Sequence, residues 1–465
     1  MNPPASPNPL RSRRDFLKTT GTVVAASALA GVSIPYVHAA GSDLVQLALV
    51  GCGGRGTGAA ANALNTTNLG PIKLVAMADV FESKQKASFE SLSKGYPTQV
   101  EVTPESKHLG FDAYQHAMDH LKPGDVVILT TPLAFRWVHF TYAIQKGLNV
   151  FMEKPLTADA PTSRRMLKLA DDASAKNLKV GVGLMSRHSR SMEELHQRIQ
   201  DGEIGEINLM RGYRMHGPVG SAFSEKWPGG EPNELLWQIK RFHSFLWASG
   251  GCYSDFYIHH IDHLCWMKNA WPIKAQALGG RHYRDNYVDQ NFDVYSVEYT
   301  FADGAKMYMD GRCIQGCNSI YSSYAHGSKG MAIVSKASDV GVPSSTYKGQ
   351  NPDRANQIWT STDKSNPYDN EWVDLMNAIR NDKPYSEVKR GVQASAVTSM
   401  GRMAAHTGME ITYEDFMALE HEYSPNTDKF TNDSAPPVTS DKDGKYPVPM
   451  PGICTKTEYP VEAKA

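Results

Sequence analysis

Asp255, His259 and Asp262 stand at positions i, i+4 and i+7, a spacing that puts all three on one face of a helix. A carboxylate beside an imidazole can orient the ring and bring its pKa toward neutrality, as a general base requires. The same residues admit two other arrangements. They can form a buried polar cluster that only joins two domains. His259 and His263, again i and i+4, can also hold a metal ion with Asp255 extending the row.

A second constellation is Gly51-x-Gly53-x-x-Gly56, with Gly54 and Arg55 inside it. The pattern alone is weak, but an apolar run precedes it, an Ala-rich helical stretch (57–65) follows, and Asp79 ends the next apolar run. Glycines there let the backbone turn tightly and approach a pyrophosphate, whose charge sits at a helix N-terminus. Asp79 is placed to accept hydrogen bonds from ribose hydroxyls and would repel a 2'-phosphate, which favours NAD. Arg55 leaves NADP open, because a nearby guanidinium could hold that phosphate.

These residues need a scaffold, and the chain supplies its signature. Apolar runs at 44–50, 73–78, 126–129, 149–152 and 179–183 alternate with helical stretches and are apolar on both faces. That is the pattern of a parallel sheet covered by helices. Beyond Arg187 the texture changes: 293–301 alternates, turns at Ala302-Asp303-Gly304, and alternates again to Asp310, as a hairpin of an antiparallel sheet does. Residues 335–368 read as loop, helices are expected near 370–381 and 389–406, and the Pro- and Asp-rich end reads as an extended tail. The expected fold is α/β: a Rossmann domain over 42–185, an α+β domain with a large, mostly antiparallel open sheet over 186–423, and a tail over 424–465.

Thr130-Thr131-Pro132 lies seven residues before His139, and Glu153-Lys154-Pro155 follows the next strand. Later comes Ser249-Gly250-Gly251-Cys252-Tyr253-Ser254-Asp255, then His259 and Asp262. In these blocks the chain resembles the Gfo/Idh/MocA oxidoreductases, with Ser249 in place of the first glycine of a G-G-G-x-x-x-D-x-x-x-H-x-x-D stretch. The resemblance runs over roughly 44–330. It implies that Gly51, Gly53, Gly54, Arg55, Gly56, Asp79, Thr131, Pro132, His139, Glu153 and Lys154 border the cofactor. It also implies that Lys154 and His259 meet the reacting hydroxyl with His259 as base, that Asp255 assists, and that the chain is a homodimer or homotetramer. The mechanism needs no metal. The substrate expected is a sugar or cyclitol, with Arg187, Arg241 and Asp262 as candidate contacts. The aromatic and cationic stretch 237–247 suits a sugar ring, and equally suits a packed helix. A redox glycosidase or lyase, working by oxidation, elimination, addition and reduction, is the alternative. A non-catalytic carbohydrate-binding protein is a further one.

Composition narrows the partners. The 465 residues carry a formal net charge of -1, which gives no electrostatic reason to expect nucleic acid. Six cysteines are too few for a disulfide scaffold, and Cys313 and Cys317 are either a bridge or a chance spacing. Arg13-Arg14 with Phe16-Leu17-Lys18, a mildly apolar run and a small-residue end read as a twin-arginine signal over 1–40, so a periplasmic protein without stable membrane insertion is expected. An exported enzyme would have to carry NAD with it and regenerate it in place.

Overall fold

The computed structural model describes residues 43–282, 286–338 and 343–461; the expected signal lies outside them. The first domain alternates strand and helix: β1 (Val45–Val50), α1 (Gly54–Leu64), β2 (Ile72–Asp79), α2 (Glu82–Gly95), β3 (Lys107–Leu109), α3 (Ala113–Asp119), β4 (Val126–Leu129), α4 (Arg136–Lys146), β5 (Asn149–Met152), α5 (Ala160–Ala175) and β6 (Val180–Val182). The six strands lie in the order β3-β2-β1-β4-β5-β6, every pair parallel. β4, β5 and β6 are buried at every residue, because helices cover both faces of the sheet. The order reverses between β1 and β4, which opens a crevice at the carboxyl ends of those strands.

The second domain begins with α6 (Arg190–Gln200) and β7 (Ile207–His216), followed by α7 (Glu234–Lys240), α8 (Leu246–Ser249) and α9 (Gly251–Lys268). Then come β8 (Lys274–Gly280), β9 (Val294–Thr300), β10 (Lys306–Cys313), β11 (Ile320–Gly327), β12 (Gly330–Lys336), β13 (Ser345–Lys348) and β14 (Gln357–Thr360). The chain finishes its regular structure with α10 (Pro367–Arg380), α11 (Val388–Thr407), β15 (Ile411–Thr412) and α12 (Tyr413–Ala418). The nine strands run β14-β13-β12-β11-β7-β10-β9-β8-β15, antiparallel except for the β7–β10 pair. β9 and β10 alternate buried and half-buried residues, so one face packs on helices and the other stays open.

Three sequence expectations change. Within 335–368, β13 and β14 form short strands that end the sheet, with β14 at its edge, and four residues each carry little alternation to betray them. The domain boundary is crossed by the C-terminal helices. Trp372, Leu375, Met376 and Ile379 of α10 complete a core beneath β1 and β5, with Trp372 stacked on Phe151 at 4.6 Å. α11 gives Val388 and Val392 to the first sheet's core and Val397, Met400 and Ala404 to the second's.

The tail contains no strand among its described residues and one short turn at Thr427–Lys429, yet it is packed rather than loose. Tyr423, Val438, Tyr446 and Tyr459 are buried, and Glu458 is 3% exposed between Arg402 and His406. Spaced single aromatics leave no periodic trace, so the sequence shows only its prolines and aspartates. Cys313 is buried near the Tyr257 hydroxyl while Cys317 is exposed, and both are free thiols.

Candidate active site

A cavity of about 890 Å³ fills the crevice between the two domains. One wall is the Gly51–Thr57 turn with Asp79, Thr130, Thr131, Pro132 and His139; the other carries Arg214, Phe242, His243, Asp255, Phe256 and His259. Glu153 and Lys154 lie between them.

The glycine turn is shaped by sterics. Gly51 has φ +97°, and a Cβ there would lie 2.7 Å from the Thr131 backbone nitrogen. A Cβ on Gly56 would lie 2.0 Å from the Gly51 carbonyl oxygen. Gly53, the N-cap of α1, and Gly54 meet nothing within 4 Å where a Cβ would stand, so the backbone there is bare toward the cavity. A bare turn at a helix N-terminus fits a pyrophosphate. Asp79 accepts hydrogen bonds from the Cys52 N–H at 2.7 Å and the Phe81 N–H at 2.9 Å, which pins its carboxylate at the cavity edge where a ribose fits; burial raises its pKa.

Arg55 does not serve as a phosphate clamp. Its Nε donates to Glu153 at 2.6 Å, Nη2 reaches Glu371 at 3.5 Å, and its guanidinium lies over Tyr368. It ties the glycine turn to the Glu153-Lys154-Pro155 segment and to α10, and the case for NADP that rested on it falls away. The Glu153 carboxylate packs against Gly183, where a Cβ would lie 2.7 Å from it.

The turn after β4 has its own support. Arg136, 1% exposed, donates to the Leu129 carbonyl and, at 2.9 Å, to the Thr131 carbonyl, with burial lowering its pKa to about 10. His139 lies 3.3 Å from the Thr131 hydroxyl and stacks on Tyr114 at 4.3 Å. Burial, helped by the Arg136 charge, pushes its pKa down to about 3, so the ring is neutral.

Lys154, Asp255 and His259 line the same cavity. Lys154 Nζ donates to the Asp255 backbone carbonyl at 2.8 Å and lies 3.6 Å from its Oδ1. Burial alone would raise the Asp255 pKa, but Lys154, His243 and His259 hold it well below the usual carboxylate range. His243 Nε2 lies 3.2 Å from Asp255 Oδ2, while its Nδ1 accepts the Ser221 N–H at 3.2 Å, which places the ring proton on the Asp255 side.

His243 is the residue the sequence missed. It stands inside 237–247, where Arg241 drew attention instead. Arg241 turns away, donating to Ser224 Oγ and the Phe223 carbonyl at 2.8 Å each, and does not line the cavity. Arg187 and Asp262 likewise leave the site: they form a buried pair at 2.8 Å, with Arg187 over Trp266. His263 faces Ser323 at 2.8 Å, so it and His259 do not share a site, and no group of three possible ligands is arranged for a metal ion among the described residues.

Comparison with known proteins shows what the chain is similar to. Residues 45–184 match the sequence profile of Gfo/Idh/MocA, an oxidoreductase family with an NAD-binding Rossmann fold. Inositol 2-dehydrogenase of Rhizobium meliloti (strain 1021) is 25% identical over 285 residues, 60% of this chain and 72% of that one. The scyllo-inositol 2-dehydrogenase (NAD(+)) of Bacillus subtilis (strain 168) is 28% identical over 177 residues, 37% of this chain and 43% of its own. Among solved structures, an aldose-aldose oxidoreductase from Caulobacter crescentus, complexed with glycerol, superposes with a TM-score of 0.60 at 15% identity. The match covers 79% of this chain and 99% of the other. Myo-inositol 2-dehydrogenase from Lactobacillus plantarum gives 0.57 at 20% identity, again over 79% and 99%. Residues 45–184 are therefore similar to the NAD-binding Rossmann segment of the Gfo/Idh/MocA oxidoreductases. The dinucleotide domain is of the NAD-binding Rossmann type, and the chain is similar to inositol dehydrogenases over 60% of its length.

Proposed function

We propose that this protein oxidises a secondary CH–OH group of a sugar or cyclitol, and that it keeps its NAD in the crevice and re-oxidises it there with a second substrate. The observation that carries the reading is the placement of Lys154, Asp255 and His259 in the same cavity as the bare glycine turn. When bound, NAD supplies the hydride acceptor.

The rest is the work of the chain. His259 takes the hydroxyl proton as the carbon–hydrogen bond breaks. The Lys154 ammonium, held on the Asp255 carbonyl, steadies the charge developing on that oxygen. Asp255 remains ionised, and its Oδ1 lies 3.6 Å from Lys154 Nζ, which keeps that side chain aimed. His243 holds the other Asp255 oxygen, so the carboxylate cannot swing toward the base. Phe242 and Phe256 close this end of the cavity with apolar surface suited to the face of a ring.

Export in a folded, NAD-loaded state fits the paired Arg13 and Arg14, and retention of the cofactor is what an exported enzyme needs. Assembly as a dimer or tetramer fits the open face of the nine-stranded sheet, where Leu278 is 78% exposed.

The test is a panel of cyclitols, aldoses and ketoses supplied to the purified chain, with nicotinamide absorbance and sugar products followed together. The reading expects a polyol to reduce the bound NAD and an added aldose or ketose to re-oxidise it. Release of an aglycone from aryl glycosides without any polyol oxidation would replace it with the glycosidase alternative.

A further inference from the structure

Residues 419–461 run as a strap from the dinucleotide domain across to the second domain. At its start, Arg164 of α5 donates to the Leu419 carbonyl at 2.9 Å, Arg165 grips Glu422 at 2.8 and 3.1 Å, and the Tyr423 N–H reaches Asp159 at 3.2 Å. At its end, Glu458 is buried against Arg402 at 2.9 and 3.0 Å and His406 at 2.8 Å, both on α11. In between, Gln238 of α7 donates to the Val438 carbonyl at 2.7 Å, and the Tyr446 ring packs on Phe245 at 4.9 Å.

Phe430 is the middle of this path. Its ring lies 6.2 Å or less from three others: Phe111 and Phe135 of the dinucleotide domain and Trp247 of the second domain, each at 6.1 Å. Phe111 and Phe135 themselves line the cavity, whereas no strap residue does. Phe430 thus links two rings of the cavity wall to Trp247 of the second domain, which lies outside the cavity, and the strap is anchored to the first domain before it and to the second after it.

We propose that Phe430 and the strap that holds it are positioning elements for the dinucleotide: they keep the two walls of the crevice together, so that NAD enters and leaves only when the strap loosens. This deepens the retained-cofactor part of the proposed function and rests on NAD binding alone, not on which polyol is oxidised. A gate has a kinetic signature that a lost contact does not. Loosening it speeds entry and exit together and changes affinity little, whereas losing a direct contact speeds exit alone.

The experiment uses the full chain and NADH. Binding is followed by nicotinamide fluorescence in stopped flow, and release by dilution into excess NAD+. The variants are Phe430→Ala and, as a milder change at the Arg165 anchor, Glu422→Gln, with thermal melting to establish folding. Both rate constants are expected to rise by about tenfold in Phe430→Ala, and by less in Glu422→Gln, with Kd nearly unchanged. A folded variant whose association rate stays at the wild-type value would overturn the proposal, and so would unchanged release. Absence of NADH binding by the wild type would overturn it together with the cofactor assignment. Failure of every polyol to react, with the rates shifting as expected, would sink the substrate reading and leave the gate standing.

Discussion

Gly53 and Gly56 lie three residues apart and meet a methyl group very differently. At Gly56 the added carbon runs into backbone at 2.0 Å, and no rotamer change can relieve that. At Gly53 the φ of -71° suits alanine and there is open space around it. Gly56→Ala should therefore cost about 3 kcal/mol of stability. Gly53→Ala should leave the melting temperature within about 2 °C of wild type and weaken NAD by about tenfold or more, because only the ligand needs that space. Calorimetric titration and thermal melting on the two variants check this. Residues of this kind are legible in a sequence because the constraint is local, and so are Lys154, Asp255 and His259 in their motifs. Arg187, Asp262, Arg241 and His243 are not. Each is a charged or imidazole side chain whose meaning depends on which partner the tertiary fold brings to it, and spacing along the chain carries no such information.

Helices α10 and α11 show the same limit one scale up. Helices are expected near 370–381 and 389–406, but their place in the chain does not say what they pack against, and α11 is buried almost all round. Their partners turn out to be the first domain's core and a polar seam at the domain junction. There His188 lies 2.7 Å from Asp374 of α10 and 3.1 Å from Glu387, just before α11, while Arg190 also grips Asp374. Burial alone would lower the His188 pKa, but Glu387 and Asp374 overcome it and raise it to about 10. In the unfolded chain the value is about 6.5. A raised folded pKa gives stability that is complete below about pH 6.5 and is lost as pH climbs toward about 10. The melting temperature should fall across that window, and His188→Gln should flatten the fall. A wild-type melting temperature independent of pH there would show that the imidazolium is not held by the two carboxylates.

At the scale of the whole molecule, the doubly wound first domain and the open antiparallel second sheet follow from patterns of period two and of buried runs. The way the two are bound together does not. Helices from the C-terminal half complete the first domain's core, and a strap without regular structure crosses the junction on single aromatics and one buried glutamate. Long-range closure of this kind is visible only once the chain is folded, because its contacts join residues hundreds of positions apart, such as Asp159 and Tyr423. It joins the two walls of the crevice, and the proposed chemistry draws on both: the glycine turn on one, Asp255 and His259 on the other, with Lys154 between them.

That dependence can be measured in a single turnover. A cyclitol or sugar that the enzyme oxidises is prepared with deuterium on the reacting carbinol carbon and mixed with the NAD-loaded protein, and the nicotinamide is recovered for mass analysis. The account predicts deuterium on the nicotinamide ring for the wild type, and at least about a hundredfold slower transfer in Lys154→Ala and His259→Ala that still bind NADH normally. Deuterium lost to water with no label on the nicotinamide, or transfer at the wild-type rate in either variant, would contradict it.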